Sequence, residues 1–425
     1  MIWHRQPYFD LLYKALSGES RFHVLIGPRG GGKSILAAQV MKRWNGPKRL
    51  AQADLPYALP VEWISKEWGK LQVPGALLVL DEPQRIPGWG EKVLSLMETN
   101  PGVKVLALCS TWGEAQRPPA GYTLQRIPHW DQQECFQRHG LRMSIESFFL
   151  MGGYPGALVN REQETFRWGS YLRDAILEAV LGKDLLSMFP VQKHELLRKA
   201  FGLACAHAGE VVSYYQLAQE LPEAGNAITI TRYFQGLKDA FLLFPLPRWH
   251  GNETRENESA PKIVIRDNGL ITALLFPTLE EGEIDDAWKR KLVKNAVLAG
   301  LLRLADEEGW EPYYWKDRSL EVDCVLVKGD RLVAFYVVDD PKKEYSLIGL
   351  HAFKRRYPKA DINVIGPYRE KSGMRYKPHL SFFKDPRSVL EPVEPARPRG
   401  WTIEMNRRNR ATRPLENGGV DDGGE

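Results

Sequence analysis

Residues 27–34 have the types and spacing of a loop that binds phosphate. A glycine, four further residues and then Gly-Lys-Ser follow the apolar stretch His23–Ile26 and precede a helix candidate with an apolar stripe. Glycines let successive backbone N–H groups curl around phosphate oxygens, where a larger side chain would block the approach. The pattern therefore predicts a nucleotide-binding segment made of Gly27, Pro28, Arg29, Gly30, Gly31, Gly32, Lys33, Ser34 and Ile35.

A second stretch, which ends in two carboxylates, supplies what hydrolysis of the nucleotide would need. Five apolar residues, 76–80, run directly into Asp81 and Glu82, which is typical of a buried parallel strand whose carboxyl end meets the ligand. Lys33 would reach the β- and γ-phosphates of ATP. Ser34 and Asp81 would hold Mg²⁺, while Glu82 would orient and deprotonate the attacking water. We therefore predict a catalytic ATPase core.

Further polar residues lie near two other strand candidates, 103–108 and 123–127. Ser110 follows the first of them after Cys109, where a hydroxyl could sense the γ-phosphate from the neighbouring strand end. Arg126 or Arg117 could act as an arginine finger towards a neighbouring subunit. For each arginine the alternative is an ordinary solvated side chain.

Composition sets the broad class of the protein. Its 425 residues are 43% hydrophobic and 26% charged, as in globular proteins, and the length suggests about three domains. The 58 basic and 53 acidic residues give a net charge of +5, which permits contact with nucleic acid without arguing for it. The four cysteines include no CxxC pair, which disfavours a zinc site or a disulfide framework. With no membrane-length apolar stretch and no signal-peptide core, we expect a cytoplasmic protein.

The elements around these residues divide the chain into five predicted parts. Residues 1–130 are the P-loop α/β core, and residues 131–196 form a helical lid. Within the lid, Gly152-Gly153-Tyr154-Pro155 is either a plain turn between helices or a contact against the adenine ring through Tyr154 and Pro155. Residues 197–284 follow as a winged helix, 285–384 as a second α/β domain and 385–425 as a disordered tail.

The winged helix is predicted from its order of helices and strands. Ser213 is an N-cap candidate, and the helix 227–240 takes the place of a recognition helix. The strand candidates Phe241–Phe244 and Lys262–Ile265 flank a polar wing at 251–259. Such folds often read DNA through the second helix of the motif, yet Arg232 and Lys238 are its basic residues here. A DNA reader and a protein-contacting module are both open.

The second α/β domain begins with a long helix candidate, Ala287–Glu308. Strand candidates follow at Tyr313–Trp315, Leu320–Val327 and Leu332–Val338. The final stretch from Asp385 is rich in Pro, Arg, Asn and Gly, with few apolar residues to anchor it, so we expect disorder there.

In this order, the motifs resemble those of prokaryotic AAA-type ATPases of the archaeal-ATPase and STAND-like branch, with a winged helix and a PD-(D/E)xK nuclease-like C-terminal domain. The resemblance covers about residues 1–383. It rests on the P-loop, Asp81-Glu82, Gly152–Pro155, the block Thr231–Leu237, Pro261-Lys262, Asp267–Leu270 and Glu321-Val322-Asp323. In that group the Gly-x-Pro element, here Gly153–Pro155, contacts the nucleotide base and couples its state to the downstream domains.

The chain departs from this resemblance at its nuclease-like end. Asp323 takes the place of the first metal carboxylate, but Tyr336 and Val338 stand where Glu and Lys are needed, and Lys294 stands at the acidic helix position. One carboxylate cannot hold a catalytic magnesium, so we expect a docking module without nuclease activity. Cys109-Ser110-Thr111 and Gly121-Tyr122 also differ from the usual sensor and arginine motifs, which suggests slow hydrolysis.

Two functions remain open at this stage. The first is a nucleotide-controlled switch that binds and hydrolyses ATP with Mg²⁺ and recruits or releases a protein partner. The second is a motor or remodelling ATPase, assembled as a homo-oligomeric ring, that grips DNA through the winged helix and the C-terminal domain. The few basic residues of the predicted recognition helix favour the switch, whereas the arginine-rich stretch 397–413 favours nucleic acid.

Overall fold

The computed structural model of the chain describes most residues up to Pro392. The described residues are 5–54, 57–71, 73–100, 102–139, 143–161, 167–185, 194–224, 226–251, 259–277, 284–340, 347–367 and 375–392. Contacts group Met1–Glu391 into one unit.

Five parallel strands form the first sheet. Their order across the sheet is Lys48–Gln52, Leu77–Asp81, Lys104–Cys109, Phe22–Ile26 and Thr123–Arg126. Apolar residues cover both faces of its central strands, as two successive residues of the strand Phe22–Ile26 show. Val24 belongs to the apolar cluster that contains the helices Glu62–Gly69 and Trp89–Thr99, and Leu25 belongs to the cluster that contains the helices Gln6–Ser17 and Lys33–Arg43. A strand buried on both faces reads as a continuous apolar run. The elements are α1 Gln6–Ser17, β1 Phe22–Ile26, α2 Lys33–Arg43, β2 Lys48–Gln52, α3 Glu62–Gly69, β3 Leu77–Asp81, α4 Trp89–Thr99, β4 Lys104–Cys109 and β5 Thr123–Arg126.

Helices follow the sheet. They are α5 Gln132–His139, α6 Ile145–Met151, α7 Pro155–Arg161 and α8, which starts at Arg167–Ser170 and continues in π-helical turns through Tyr171–Leu177 and Val180–Asp184. The break between α6 and α7 falls at Gly152, whose φ of 68° lies in the left-handed region that favours glycine. Tyr171 and Asp184 of α8 face the first sheet, whereas Leu177 and Leu181 enter the core of the next helices.

Three helices and an antiparallel strand pair come next. They are α9 His194–Ala206, α10 Tyr214–Glu220, α11 Ala227–Asp239, β6 Leu243–Leu246 and β7 Lys262–Ile265. Ser213 caps α10 as predicted, because its hydroxyl accepts the Gln216 N–H at 3.1 Å. The prediction that β6 begins at Phe241 is wrong: Phe241 has a φ of 59°, so a turn ends α11 and the strand starts two residues later. Residues 252–258 of the predicted wing lie outside the described residues.

A second five-stranded sheet closes the described chain, in the order β12-β11-β10-β9-β8. Pairing is antiparallel from β8 to β10 and parallel from β10 to β12. The last two strands were not predicted. The elements are α12 Asn268–Leu275, α13 Asp286–Glu308, β8 Glu311–Asp317, β9 Leu320–Lys328, β10 Arg331–Val337, α14 Ile348–Arg356, β11 Asp361–Gly366, β12 Arg375–Pro378 and α15 His379–Lys384.

The predicted start of the disordered tail at Asp385 is too early. Residues Pro386–Leu390 form a 3-10 turn, and Val389 and Leu390 are buried in the cluster that joins α13 to the second sheet. Two apolar side chains therefore anchor this stretch. Residues 393–425 lie outside the described residues.

The helices are too short or too polar for a bilayer. Across the described ranges, none is long and apolar enough to cross a membrane.

Candidate functional site

The P-loop leaves β1 and turns into α2 at the carboxyl edge of the first sheet. Gly32, with a φ of 101°, directly precedes α2, and this backbone conformation is rarely open to other residues. At Gly27, a Cβ would lie 2.3 Å from the Ile127 carbonyl oxygen. The backbone therefore requires glycine at both ends of the loop, as expected for a loop whose N–H groups approach a phosphate.

Lys33, the first residue of α2, extends its side chain into this loop. Its side chain is buried, and its ammonium donates to the carbonyl oxygens of Gly27 at 2.9 Å and Pro28 at 3.0 Å. Burial lowers the pKa of Lys33, although Glu82 and Asp81 act in the opposite direction. Neutral backbone carbonyls compensate a buried charge less well than an anion does. This ammonium is therefore prepared for a phosphate.

Ser34 and Asp81 meet as predicted for a magnesium site. The Ser34 hydroxyl donates to Asp81 Oδ2 at 3.2 Å. Burial, and next the charge of Glu82, raise the pKa of Asp81 to about 6. A hydroxyl and a carboxylate are the hard oxygen donors that Mg²⁺ takes beside nucleotide phosphates. The residues present therefore fit a Mg²⁺–nucleotide.

Glu82 occupies a strained turn directly after β3. Its φ of 59° lies in the left-handed region, which is uncommon for a residue with a side chain. Oε2 accepts the Ser110 hydroxyl and the Gln84 amide, both at 2.5 Å. The strain and these two donors fix the carboxylate beside Asp81. Ser110, predicted as a phosphate sensor, contacts Glu82.

A cavity of about 340 Å³ extends from the P-loop towards the helices. Ile35 and Pro155 line it, as the prediction of nucleotide contacts requires. Tyr154 lies one layer deeper: it is buried, its ring packs against Gly30, and its hydroxyl is 3.1 Å from His129 Nε2. The lining residues are Arg5, Arg29, Gly30, Gly32, Lys33, Ser34, Ile35, Leu36, Asp54, Asp81, Glu82, Trp130, Pro155, Gly156 and Tyr171.

The two candidate arginine fingers lie outside this cavity. Arg126 pairs with Asp306 of α13 at 2.9 Å and lines a separate cavity between β5 and α13. Arg117 is exposed in the loop before β5. Neither side chain is among those that line the phosphate end of its own chain.

Sequence reasoning missed several residues that line the cavity or contact its lining. Arg5 is 2% exposed and donates to the Gly31 carbonyl at 3.2 Å, as does the Trp130 indole N–H. Arg85, Asp54 and Asp184 form a charged group at the mouth. Arg85 could have been found from the sequence, because it lies three residues after Glu82. The others contact residues that are distant in the chain, so no local sequence pattern identifies them.

The second sheet holds a different arrangement of charges around Asp323. Lys294 of α13 lies 2.7 Å from Asp323 Oδ1, Lys262 lies 3.1 Å from the same oxygen, and the Val337 N–H donates to Oδ2 at 2.9 Å. Burial would raise the pKa of Asp323, but the two ammonium groups dominate and hold it well below its usual range. Ammonium groups thus occupy the surroundings where the resemblance implies a metal.

The prediction of a single carboxylate at this place was incomplete. Glu321 Oε1 pairs with the buried Lys262 ammonium at 2.6 Å. Even so, the described residues contain no group of three or more His, Cys, Asp or Glu side chains that could hold a metal ion. Tyr336 and Val338 occupy β10 and its end, as the sequence comparison placed them.

Comparison with protein families gives two matches. Residues 19–124 match the family model of an AAA domain, and residues 142–280 match that of a domain of unknown function. The first range contains the P-loop and both acidic residues of the cavity. The match to an AAA domain thus covers most of the first sheet, from β1 to the start of β5.

Two curated proteins resemble most of the chain. An uncharacterized protein of Mycobacterium tuberculosis and one of Mycobacterium bovis are each 27% identical over 327 residues, which is 74% of this chain and 69% of theirs. Among solved structures, the Thermotoga maritima RuvB Holliday junction branch migration motor is 17% identical, with a TM-score of 0.29 over 57% of this chain and 90% of its own. A variant of that motor gives 0.30 at 17% identity over 58% and 91%.

Proposed function

We propose that this protein binds and hydrolyses ATP with Mg²⁺ and acts as a nucleotide-controlled switch. One observation carries the proposal: Lys33, Ser34, Asp81 and Glu82 converge at the carboxyl edge of a parallel sheet, in one cavity. This is the position at which open α/β sheets bind their ligands.

Each of these residues takes a distinct role. Lys33 exchanges its carbonyl partners for the β- and γ-phosphates, and Ser34 and Asp81 hold the magnesium. When bound, the ion neutralises charge that develops on the phosphate oxygens. Glu82 orients the attacking water and accepts its proton. Ser110 and Gln84 keep Oε2 of Glu82 in place, so Oε1 is the oxygen for the proton.

Helix α8 connects the cavity to the rest of the chain. Tyr171 lines the cavity, and a Cβ on Gly30 would lie 2.8 Å from Ile176 Cδ1. On its other side the helix places Leu181 in an apolar cluster with Phe201 of α9 and Phe234 of α11. A change at the P-loop therefore has a packed route to α9–α11, which we assign as a winged helix. In this switch a protein partner reads the state of that module.

The C-terminal sheet serves the switch as a docking domain without nuclease activity. Support comes from Asp323, whose oxygens are held by two ammonium groups and a backbone N–H. We also propose that the protein works in the cytoplasm, which its four free, buried cysteines support.

The alternative function is a DNA-binding motor or remodelling ATPase, working as a homo-oligomeric ring. It is favoured by the exposed face of α11, where Thr231, Arg232 and Gln235 could contact phosphates and bases. With a single arginine among these three residues, such a footprint supplies little charge.

Steady-state ATP hydrolysis tests both functions. Wild type and Glu82→Gln are compared with and without duplex DNA. The switch predicts slow turnover that DNA leaves unchanged and that Glu82→Gln lowers by about a hundredfold or more. A severalfold rise with DNA would favour the motor. Equal turnover in both proteins would refute the assignment of Glu82.

A further inference from the structure

The P-loop carries an arginine whose partners lie on two other segments of the cavity mouth. Arg29 Nη1 lies 3.1 Å from both carboxylate oxygens of Asp184 at the end of α8, and Nη2 lies 2.9 Å from Asp54 Oδ2, just beyond β2. Arg85, on the turn after Glu82, contacts the same two carboxylates. Lys183 adds a third cation at Asp54. We call Arg29, Arg85, Lys183, Asp54 and Asp184 the mouth cluster.

Three cationic side chains in this cluster share two carboxylates, so these five side chains taken together carry one net positive charge. Asp184 is 1% exposed, whereas Arg85 is 10% and Arg29 is 22% exposed. The Asp184 carboxylate is therefore the most deeply buried member of the mouth cluster. Burial raises the pKa of Asp184, while Arg29 opposes the shift. This carboxylate pays a desolvation cost that depends on its arginines for compensation.

Arg29 also lies close to the catalytic end of the cavity, and Arg85 adjoins it through the two carboxylates that both arginines contact. Arg29 is two residues after Gly27 and lines the cavity with Lys33 and Glu82. Burial works against the charge of Arg29, but Asp184 and Asp54 raise the pKa of its guanidinium, and Glu82 contributes in the same direction. The guanidinium is thus within electrostatic reach of the residue assigned to the attacking water.

We propose that Arg29 and Arg85 bind the terminal phosphate of ATP within their own chain, and that Asp184 holds them until that phosphate arrives. The inference rests on the proposed function and deepens it by assigning the residues that tell ATP from ADP. A terminal phosphate carries more charge than a carboxylate and presents three oxygens, so it competes for two guanidinium forks. ADP lacks that group and leaves the mouth cluster closed.

Loss of its arginines removes two of the contacts that hold the end of α8, while the Lys183–Asp54 pair remains. Asp184 closes the helical segment Val180–Asp184, and Val180 and Leu181 of that segment belong to the apolar cluster that contains α9 and α11. Arrival of the terminal phosphate therefore loosens α8 at the mouth while its other face stays packed on the downstream helices. This gives the switch a part that moves.

Titration calorimetry of the full chain with Mg²⁺-ADP and with Mg²⁺-ATPγS tests the assignment. Arg29→Ala and Arg85→Ala should each weaken ATPγS binding about tenfold or more, and ADP binding less than about twofold. Asp184→Asn keeps the shape of the side chain and removes its charge, so it should tighten ATPγS binding severalfold with ADP unchanged. A gain in affinity cannot arise from a protein that fails to fold.

Arg198→Ala is the matched control. Arg198 pairs with Glu178 on the exposed side of α8, and its removal should change neither affinity. Equal losses for both nucleotides in the Arg29 and Arg85 variants, or no loss, would overturn the inference while leaving the proposed function intact. A wild type that binds neither nucleotide would overturn both.

Hydrogen–deuterium exchange tests the release of α8. Peptides covering residues 171–185 should exchange faster with ATPγS than with ADP in the wild type. In Asp184→Asn they should exchange fast with either nucleotide. Identical exchange in the two nucleotide states of the wild type would refute release.

Discussion

The two sheets each bring lysine and aspartate together, with opposite results. In the first, the Lys33 ammonium donates to two neutral backbone carbonyls, and burial raises the pKa of Asp81. In the second, Lys294 and Lys262 contact Asp323 directly and lower its pKa. The same residue types are thus prepared for a ligand in one place and satisfied by each other in the other. We call these the open site and the closed site.

The difference shows that buried charges kept for a ligand reduce the stability of the fold. At the open site burial opposes the charge on Lys33 and on Asp81 alike, so the protein carries a penalty that a charged ligand would relieve. At the closed site the opposite charges already compensate one another. Substitutions should therefore affect binding at the first site and stability at the second.

The largest effect on stability is expected from Asp323→Ala. It leaves Lys262, which is fully buried, and Lys294 without their shared carboxylate. Breaking a buried ion pair by removing one partner costs about 3–5 kcal/mol. Urea unfolding should show this loss in free energy of unfolding. Asp330→Ala, in the exposed turn of the same hairpin, is the control. A loss at Asp323 no larger than the control's would mean that the closed site is not closed.

Lys294→Met should cost less, about 1–3 kcal/mol, since Asp323 keeps Lys262 and the Val337 N–H. The Asp323 carboxylate loses one of its two ammonium partners, while the methionine side chain retains the packing of the apolar part of the lysine. The same urea titration measures it. Unchanged stability would show that Lys262 alone compensates Asp323.

The two aspartates should also differ in the sign of their pH dependence. Because the folded pKa of Asp81 is about 6, above the unfolded value of about 3.9, its contribution to stability falls as pH rises between those values. Asp81→Asn should therefore gain on wild type by about 1–3 kcal/mol from pH 4 to pH 7. The depressed pKa of Asp323 stabilises the fold above pH of about 4, and this is lost on acidification through its folded pKa. Thermal unfolding from about pH 2 to about pH 7 checks both, because the Asp81→Asn difference should change mainly above about pH 4 and the Asp323→Ala difference mainly below it. A parallel trend for the two differences would contradict the comparison.

The smallest effect is expected at Arg126, which belongs to neither site. Its side chain is 38% exposed beside Asp306, and exposed ion pairs contribute about 0–1 kcal/mol. Arg126→Ala should therefore change stability by less than about 1 kcal/mol and ATP turnover by less than about twofold. The arginine-finger hypothesis instead predicts a loss of a thousandfold or so. Turnover of the oligomeric fraction, measured beside Arg117→Ala, decides between them.

Local sequence patterns predicted the open site well. The P-loop, Asp81 and Glu82 are adjacent in the chain to the strands and helix that position them, so spacing alone identified them. The Ser34–Asp81 contact followed from pairing two such motifs at one sheet edge. Ser110 was placed at the correct strand end, but its partner could not be read from the sequence.

Contacts between distant segments could not be predicted. Arg29 and Asp184 are 155 positions apart, and no periodicity or composition links them. Lys262 was noted only as part of a motif, whereas the structure buries it against Asp323, 61 positions away. Strand β12 also escaped prediction, because its four residues, Arg375–Pro378, are partly exposed and lack an apolar run.

Nucleotide binding by Lys33→Ala tests the central claim most directly. Titration calorimetry with Mg²⁺-ATPγS should show wild-type affinity in Lys42→Ala, an exposed lysine on the same helix, and a loss of about a hundredfold or more in Lys33→Ala. Circular dichroism melting establishes that both variants are folded. Unchanged affinity in a folded Lys33→Ala would contradict the assignment of the open site.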